Sequence, residues 1–271
     1  MLKFVATDLD GTLLDGKRCV PDEAFSMIRA LTERGILFCP ASGRQYANLI
    51  KLFSPVQDEA LFMAENGALV KYRGETLYLN PIPDELIKDA LDAIRSVFGL
   101  FPMLCGTENA YIENAEEPFY TCAFTSYTNC VKVDSLDGVI GKEKICKIAV
   151  YDALGSHNNG IKYLPEKIPF LRTILSGAEW LDVSAITAHK GDALRFIKEK
   201  FSLQKEECVA FGDHMNDYEM LLECGSAFVT ENGYPPLKKL IPHVIPSNTE
   251  GGVIQKLKEI LQSIPGKEND I

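Results

Sequence analysis

The sequence predicts an α/β fold: a doubly wound, Rossmann-like parallel sheet forming a core, with an α/β cap domain inserted into it. Three observations predict it. Short apolar runs alternate with amphipathic stretches over residues 1–81 and again over 187–271. Between them, 82–186 change rhythm and favour antiparallel pairing. Carboxylates and a serine stand just past the core's apolar runs, where open α/β sheets gather ligands. The expected domains are therefore 1–81 plus 187–271 for the core and 82–186 for the cap.

Element by element, Leu2 to Thr7 reads as a buried strand. Pro21-Asp22-Glu23 opens a helix reaching about Arg34, with proline and acids where a helix start accepts them, and Gly35 ends it. Ile36 to Cys39 is a second strand. Ser42 is the expected N-cap of a helix running through Phe53. Ala60 to Ala64 is a third strand, and Asn66-Gly67 turns it into Ala68-Leu69-Val70 as a hairpin. Pro81-Ile82-Pro83 marks the junction and an expected hinge. In the insert, a helix spans Asp84 to Val97, with strands near 101–105, 110–112, 145–151, 170–175 and 180–183. The core resumes with a helix over Gly191 to Lys200, the strand Cys208 to Phe211, a helix over Asn216 to Glu223, the strand Ala227 to Val229, and a closing helix from Gly251 to about Ile264. The tail Gly266 to Asp270 is expected to fray.

The 271 residues are 46% hydrophobic and carry a net charge of −10. That content supports a sizeable core, and the charge argues against binding nucleic acid through its phosphates. No apolar run approaches membrane-spanning length. None of the eight cysteines forms a Cys-x-x-Cys pair; they read as small buried hydrophobes of a reducing compartment. With no signal-peptide layout at the start, the expected location is the cytoplasm.

The chemistry concentrates in four segments. In Asp8-Leu9-Asp10-Gly11-Thr12, the two aspartates leave one strand end on the same side. Carboxylates that close repel, and Mg2+, which prefers oxygen ligands, relieves the repulsion; the plain alternative is an Asp-Gly surface turn. Ser42 offers a hydroxyl and nearby backbone N–H groups to a phosphate, or simply caps a helix, and Arg44 adds charge beside it. Lys190, in His189-Lys190-Gly191-Asp192, stands where a cation is unfavourable at a helix start, yet can neutralise a phosphate–aspartate pair. Gly212-Asp213 follows a buried strand, with Asn216 and Asp217 one turn on. Together they describe phosphoryl transfer: Asp8 attacks phosphorus, Asp10 protonates the leaving oxygen and then takes a proton from water, Asp213 and a backbone oxygen help hold magnesium, and Ser42 and Lys190 fix the transferring group.

These segments resemble the motifs of the haloacid dehalogenase (HAD) superfamily: Asp8 to Leu14 its first, Ala41-Ser42-Gly43-Arg44 its second, Lys190-Gly191 its third, and Gly212-Asp213 with Asn216-Asp217 its fourth. Order and spacing are most similar to the Cof-type sugar-phosphatase branch (subfamily IIB), as is Glu65-Asn66-Gly67-Ala68. The resemblance implies Asp8 as nucleophile and Asp10 as acid/base. It implies Mg2+ held by Asp8, the Asp10 main-chain carbonyl and Asp213, with Asp217 supporting. Ser42, Gly43, Lys190 and Asn216 would meet the substrate. Ser42 stands where many relatives carry threonine, and Val229-Thr230-Glu231-Asn232-Gly233 lacks the Met-Gly-Asn wording common there.

The function expected is a Mg-dependent phosphatase acting on a small phosphorylated metabolite of sugar phosphate, pyridoxal phosphate or flavin mononucleotide type. A phosphomutase needs a cap that keeps water from the aspartyl phosphate; a non-enzymatic binding protein has no need of Asp8, Asp10 and Lys190 together.

Overall fold

The computed structural model describes residues 1–263. The expected fraying of Gly266 to Asp270 and the expected helix end at Ile264 lie outside the described residues. The chain forms two compact units: one of Met1–Ser42, Leu49–Tyr78 and the residues from His189 on, the other of Gly43–Asn48 and Leu79–Ala188.

The first unit begins with β1 (Phe4–Thr7), α1 (Asp22–Glu33), β2 (Leu37–Pro40) and α2 (Tyr46–Leu52), whose first residues count with the second unit. It continues with β3 (Leu61–Ala64), β4 (Leu69–Tyr72) and β5 (Glu75–Leu79). In the second unit come α3 (Asp84–Arg95), β6 (Leu100–Gly106), β7 (Ala110–Ile112), α4 (Phe119–Ser126), β8 (Cys130–Lys132), β9 (Ile145–Asp152), α5 (Gly160–Lys167), β10 (Arg172–Leu175) and β11 (Trp180–Ser184). The first unit resumes with α6 (Lys190–Lys200), β12 (Cys208–Gly212), α7 (Tyr218–Leu222), β13 (Ser226–Thr230), α8 (Pro235–Leu240), β14 (Val244–Ile245) and α9 (Gly252–Ser263).

In the first unit five strands run parallel in the order β14-β13-β12-β1-β2. Every residue of β1 and β12 is buried, as in strands covered on both faces. Phe4, Ala6, Cys39, Cys208 and Ala210 pack against Ala193, Leu194 and Ile197 of α6 and Met220 and Leu221 of α7. Strand alternation turns Val5 and Phe38 to the other layer, where α1 and α9 meet. Strands β3, β4 and β5 form their own small sheet, and isolated parallel bridges tie β3 and its approach to β2.

The second unit holds a six-stranded sheet, β10-β11-β9-β6-β7-β8, antiparallel except for the β7–β8 pair. Helix α3 buries Ile87, Ala90, Leu91 and Ile94 on one stripe against Leu104, Ile148 and Val150 of the sheet. A smaller cluster, with Phe119 stacked on Phe101 at 5.4 Å, gathers Met103, Ala149 and Tyr151.

Several expectations need correction. Ser42 caps no helix: α2 begins four residues later, at Tyr46, because the chain after β2 first runs through an irregular turn. Asn66-Gly67 is not a two-residue hairpin turn; register pairs Ala64 with Leu69, leaving a four-residue connection in which Glu65, Asn66 and Gly67 all take positive φ. The helix expected over Asn216 to Glu223 splits into a tight turn at Met215–Asp217 and the short α7. Strands β5, β8 and β14 and helices α4, α5 and α8 were not expected; α5 carries Pro165 inside it, which breaks the helical pattern. Among the described residues, no helix is long and apolar enough to cross a membrane. All eight cysteines are free thiols, five of them buried.

Candidate active site

Parallel pairing of β1 with β12 brings two loops side by side at the carboxyl ends of the strands. Asp8 N donates to Phe211 O at 2.9 Å, extending the ladder one residue past the end of β1. Leu9–Leu13 then form a single wide turn, closed by Leu14 N donating to Leu9 O. Gly11 sits in it with φ of 83°, and a Cβ there would collide with Asp213 Oδ2. Both the left-handed backbone and the close approach require glycine. Thr12 Oγ1 donates to Asp213 Oδ1 at 3.4 Å.

Lys190 opens α6, with His189 as its N-cap accepting from Asp192 N. The lysine is 0% exposed. Its Nζ lies 2.6 Å from Asp8 Oδ1 and 2.6 Å from Asp217 Oδ1. The other oxygen of Asp217 accepts from Asp213 N at 2.9 Å and His214 N at 3.2 Å, so this carboxylate holds the Asp213 loop and the lysine at once. Gly67 makes room for the lysine: a Cβ there would stand 2.6 Å from the His189 carbonyl carbon.

Ligand oxygens of Asp8, Asp213 and Asp217 all lie within 4.8 Å of one another. Three carboxylates thus face one ammonium, an excess of two negative charges when all are ionised. Burial is the largest influence on Asp8 and pushes its carboxyl up; Lys190 opposes this, and Asp217 and Asp213 reinforce it, leaving Asp8 well above the usual carboxylate range. Asp213 is pushed up to about 7, by burial first and by the charge of Asp217 next. Burial alone would lower Lys190, but Asp217 and Asp8 outweigh it and hold the ammonium above the usual lysine range. A hard divalent cation with oxygen ligands fits this donor set and its charge.

Asp10 is exposed at the rim of the turn, and its charge is felt by Asp213. Ser42 is buried and leaves β2 beside β1, since Ala41 N donates to Thr7 O at 2.8 Å. Ser42 N donates to Met63 O, and Ser42 O accepts from Asn66 N at 2.9 Å. Asn66 Oδ1 in turn accepts from Asn216 Nδ2 at 3.2 Å. The wide connection after β3 therefore joins the second and fourth motifs. Gly43 belongs by contact with the second unit, where its carbonyl accepts from Lys147 Nζ at 2.7 Å. The carboxylate cluster comprises Asp8, Asp213 and Asp217.

Reading residue by residue missed three contributors. Asn66 had only a motif likeness to mark it. Thr230 and Asn232 lie in the segment whose wording departs from the expected one, yet both donate to the Gly11 carbonyl, at 3.1 and 2.8 Å. His214, exposed, stacks on Tyr234 at 4.9 Å.

A family model described as haloacid dehalogenase-like hydrolase matches residues 5–257. The chain is 26% identical to the 5-amino-6-(5-phospho-D-ribitylamino)uracil phosphatase of Escherichia coli, covering 96% of this chain and 97% of that protein. A crystal structure from Eubacterium rectale superposes with a TM-score of 0.84 at 28% identity, covering 96% and 99% of the two chains. The fold is shared with a HAD subclass IIB sugar phosphatase at a TM-score of 0.79 and 20% identity, covering 95% and 98%.

Proposed function

This chain belongs to the haloacid dehalogenase-like hydrolases and is a phosphatase of that family; from that premise we propose that it hydrolyses a small phosphomonoester through an aspartyl phosphate on Asp8, with magnesium as cofactor. The observation that carries the reading is Lys190, fully buried and shared at 2.6 Å between Asp8 and Asp217, beside Asp213. A buried ammonium held between carboxylates that outnumber it suits a site that must take up a cation and a phosphate together.

Asp8 attacks phosphorus, and the bond between phosphorus and the ester oxygen breaks. Asp10 gives its proton to the departing alkoxide. Asp10 then accepts a proton from water as that water attacks phosphorus, the bond to Asp8 breaks, and inorganic phosphate leaves. Lys190 holds Asp8 in line and offsets charge building on the phosphoryl oxygens. Ser42, the Gly43 backbone and Asn216 orient the phosphoryl group. Asp8 and Asp213, with the Asp10 carbonyl, would hold magnesium, which when bound would offset the charge between nucleophile and phosphate. Asp217 supports rather than ligates, since its oxygens already accept from Lys190, Asp213 N and His214 N. The domains divide the work, with 1–81 and 187–271 for chemistry and 82–186 for choosing the leaving group.

The E. coli relative acts on a phosphorylated ribitylaminouracil; sugar phosphates, pyridoxal phosphate and flavin mononucleotide are the substrate types to try here. The test is phosphate release from such a panel, for wild type and Asp8→Asn, with magnesium and with a chelator. Turnover that needs both Asp8 and magnesium is expected. Turnover that survives Asp8→Asn would overturn the covalent route.

A further inference from the structure

The turn that carries Asp10 has a glycine at its centre, and a glycine-hinged turn does not hold an exposed carboxylate still by itself. Besides its own closing bond, the turn is tied from outside. The Gly11 carbonyl accepts two hydrogen bonds, from Thr230 Oγ1 at 3.1 Å and from Asn232 Nδ2 at 2.8 Å. Asn232 Oδ1 accepts from Asn248 N at 3.0 Å, and Asn248 Nδ2 donates to Leu14 O at 2.8 Å. Because a backbone N–H only donates and a carbonyl only accepts, each asparagine amide has one orientation available. The two asparagines therefore grip the turn at Gly11 and at Leu14, on either side of its closing bond.

The gripping loop is itself fixed. Gly233 N donates to Thr230 O at 2.9 Å and Glu231 N to Ile245 O at 2.9 Å. Tyr234 N donates to Asp213 O at 2.7 Å. One loop thus sets the backbone of the Asp10 turn against the backbone of the Asp213 turn.

We propose that Asn232, backed by Asn248 and Thr230, is a positioning residue that stations Asp10 for proton transfer to the leaving oxygen. The inference rests on the acid/base role of Asp10 given above. A general acid contributes most when the leaving group is basic. Loss of the grip therefore penalises substrates by leaving-group basicity, whereas general loosening of the site penalises all of them alike.

The experiment measures kcat/KM for an alkyl phosphate and for an aryl phosphate with an acidic phenol, at saturating magnesium. It uses wild type, Asp10→Asn, Asn232→Ala, Thr230→Val and the Asp10→Asn/Asn232→Ala double variant. Asn232→Ala is expected to lose roughly 10- to 100-fold on the alkyl phosphate and at most about threefold on the aryl phosphate. Its loss should vanish in the Asp10→Asn background, and the magnesium concentration for half-saturation should stay put. Thr230→Val, close in shape and safe for folding, should show the same pattern at smaller size, and serves should Asn232→Ala not fold. Equal losses on both substrates, additivity with Asp10→Asn, or no loss would each overturn the proposal. Should Asp10→Asn itself leave the alkyl phosphate unaffected, the acid/base role fails first, which the same data set separates.

Discussion

Two of the three buried lysines among the described residues, one taken from each unit, show what separates a reactive cluster from a structural one. Lys147 on β9 lies 3.0 Å from Asp182 on β11, with side chains 4% and 6% exposed. The lysine also donates to Gly43 O at 2.7 Å, and Asp182 accepts from Ser176 Oγ at 3.2 Å. Lys190 meets two carboxylates directly and stands by a third. The first cluster is an ion pair set between two neighbouring strands of one sheet. In the second, three carboxylates outnumber the ammonium, and burial first of all, with the neighbouring carboxylates adding to it, raises Asp8 and Asp213. A fold keeps an unneutralised buried charge where chemistry needs it.

Four perturbations test this contrast. Lys147→Met, which removes the ammonium beside buried Asp182, should destabilise the protein by about 3–5 kcal/mol in denaturant unfolding, and Lys147→Met/Asp182→Leu should restore most of the loss. Failure of the double variant to recover would show that the loss does not come from parting the pair. Lys190→Met should cut phosphate release by roughly 10²–10³-fold; wild-type turnover would refute the role of the shared ammonium. Asp213→Asn should raise the unfolding midpoint of metal-free protein by a few degrees, because it relieves repulsion, and should abolish stabilisation by added magnesium. A lowered midpoint would mean that the carboxylates do not strain the site.

The smallest effect is one of pH. Folded Asp213 titrates at about 7, against about 4 for an unfolded aspartate. Between those values the folded state binds more protons, so metal-free stability should fall as pH rises across the interval. Added magnesium should reverse the slope, its stabilisation growing over the same range. Midpoints measured from pH 4.5 to 7.5 with and without the metal decide it; a metal-free slope of the opposite sign would remove Asp213 from the account.

The site was legible where one residue type at one strand end implies its chemistry. Asp8 and Asp213 follow unmistakable apolar strands and Lys190 opens a helix where a cation is out of place, and the structure gathers them. What stayed hidden depends on backbone that the pattern of residues does not encode. Ser42 looked like a cap because a serine before an apolar helix usually is one, but the chain turns before α2 begins. Asn66 and Asn232 act from loops shaped by positive φ and by partners far along the chain. In the second unit, α4 mixes aromatic, β-branched and small residues with no clear apolar stripe, and α5 contains a proline, so neither announces itself.

The strand order has a consequence for biosynthesis. β1 lies between β2 and β12, yet its second neighbour is translated only after the whole second unit has been made. At ribosomal speeds of about 5–20 residues per second, one edge of the nascent β1 goes without its partner for roughly 10–40 seconds. An unpaired edge on a strand meant to be wholly buried is an invitation to aggregation. The nascent chain therefore has a predictable period of chaperone demand, ending when Cys208–Gly212 emerges. Asp213 follows directly, so the carboxylate cluster begins to assemble only as that demand ends.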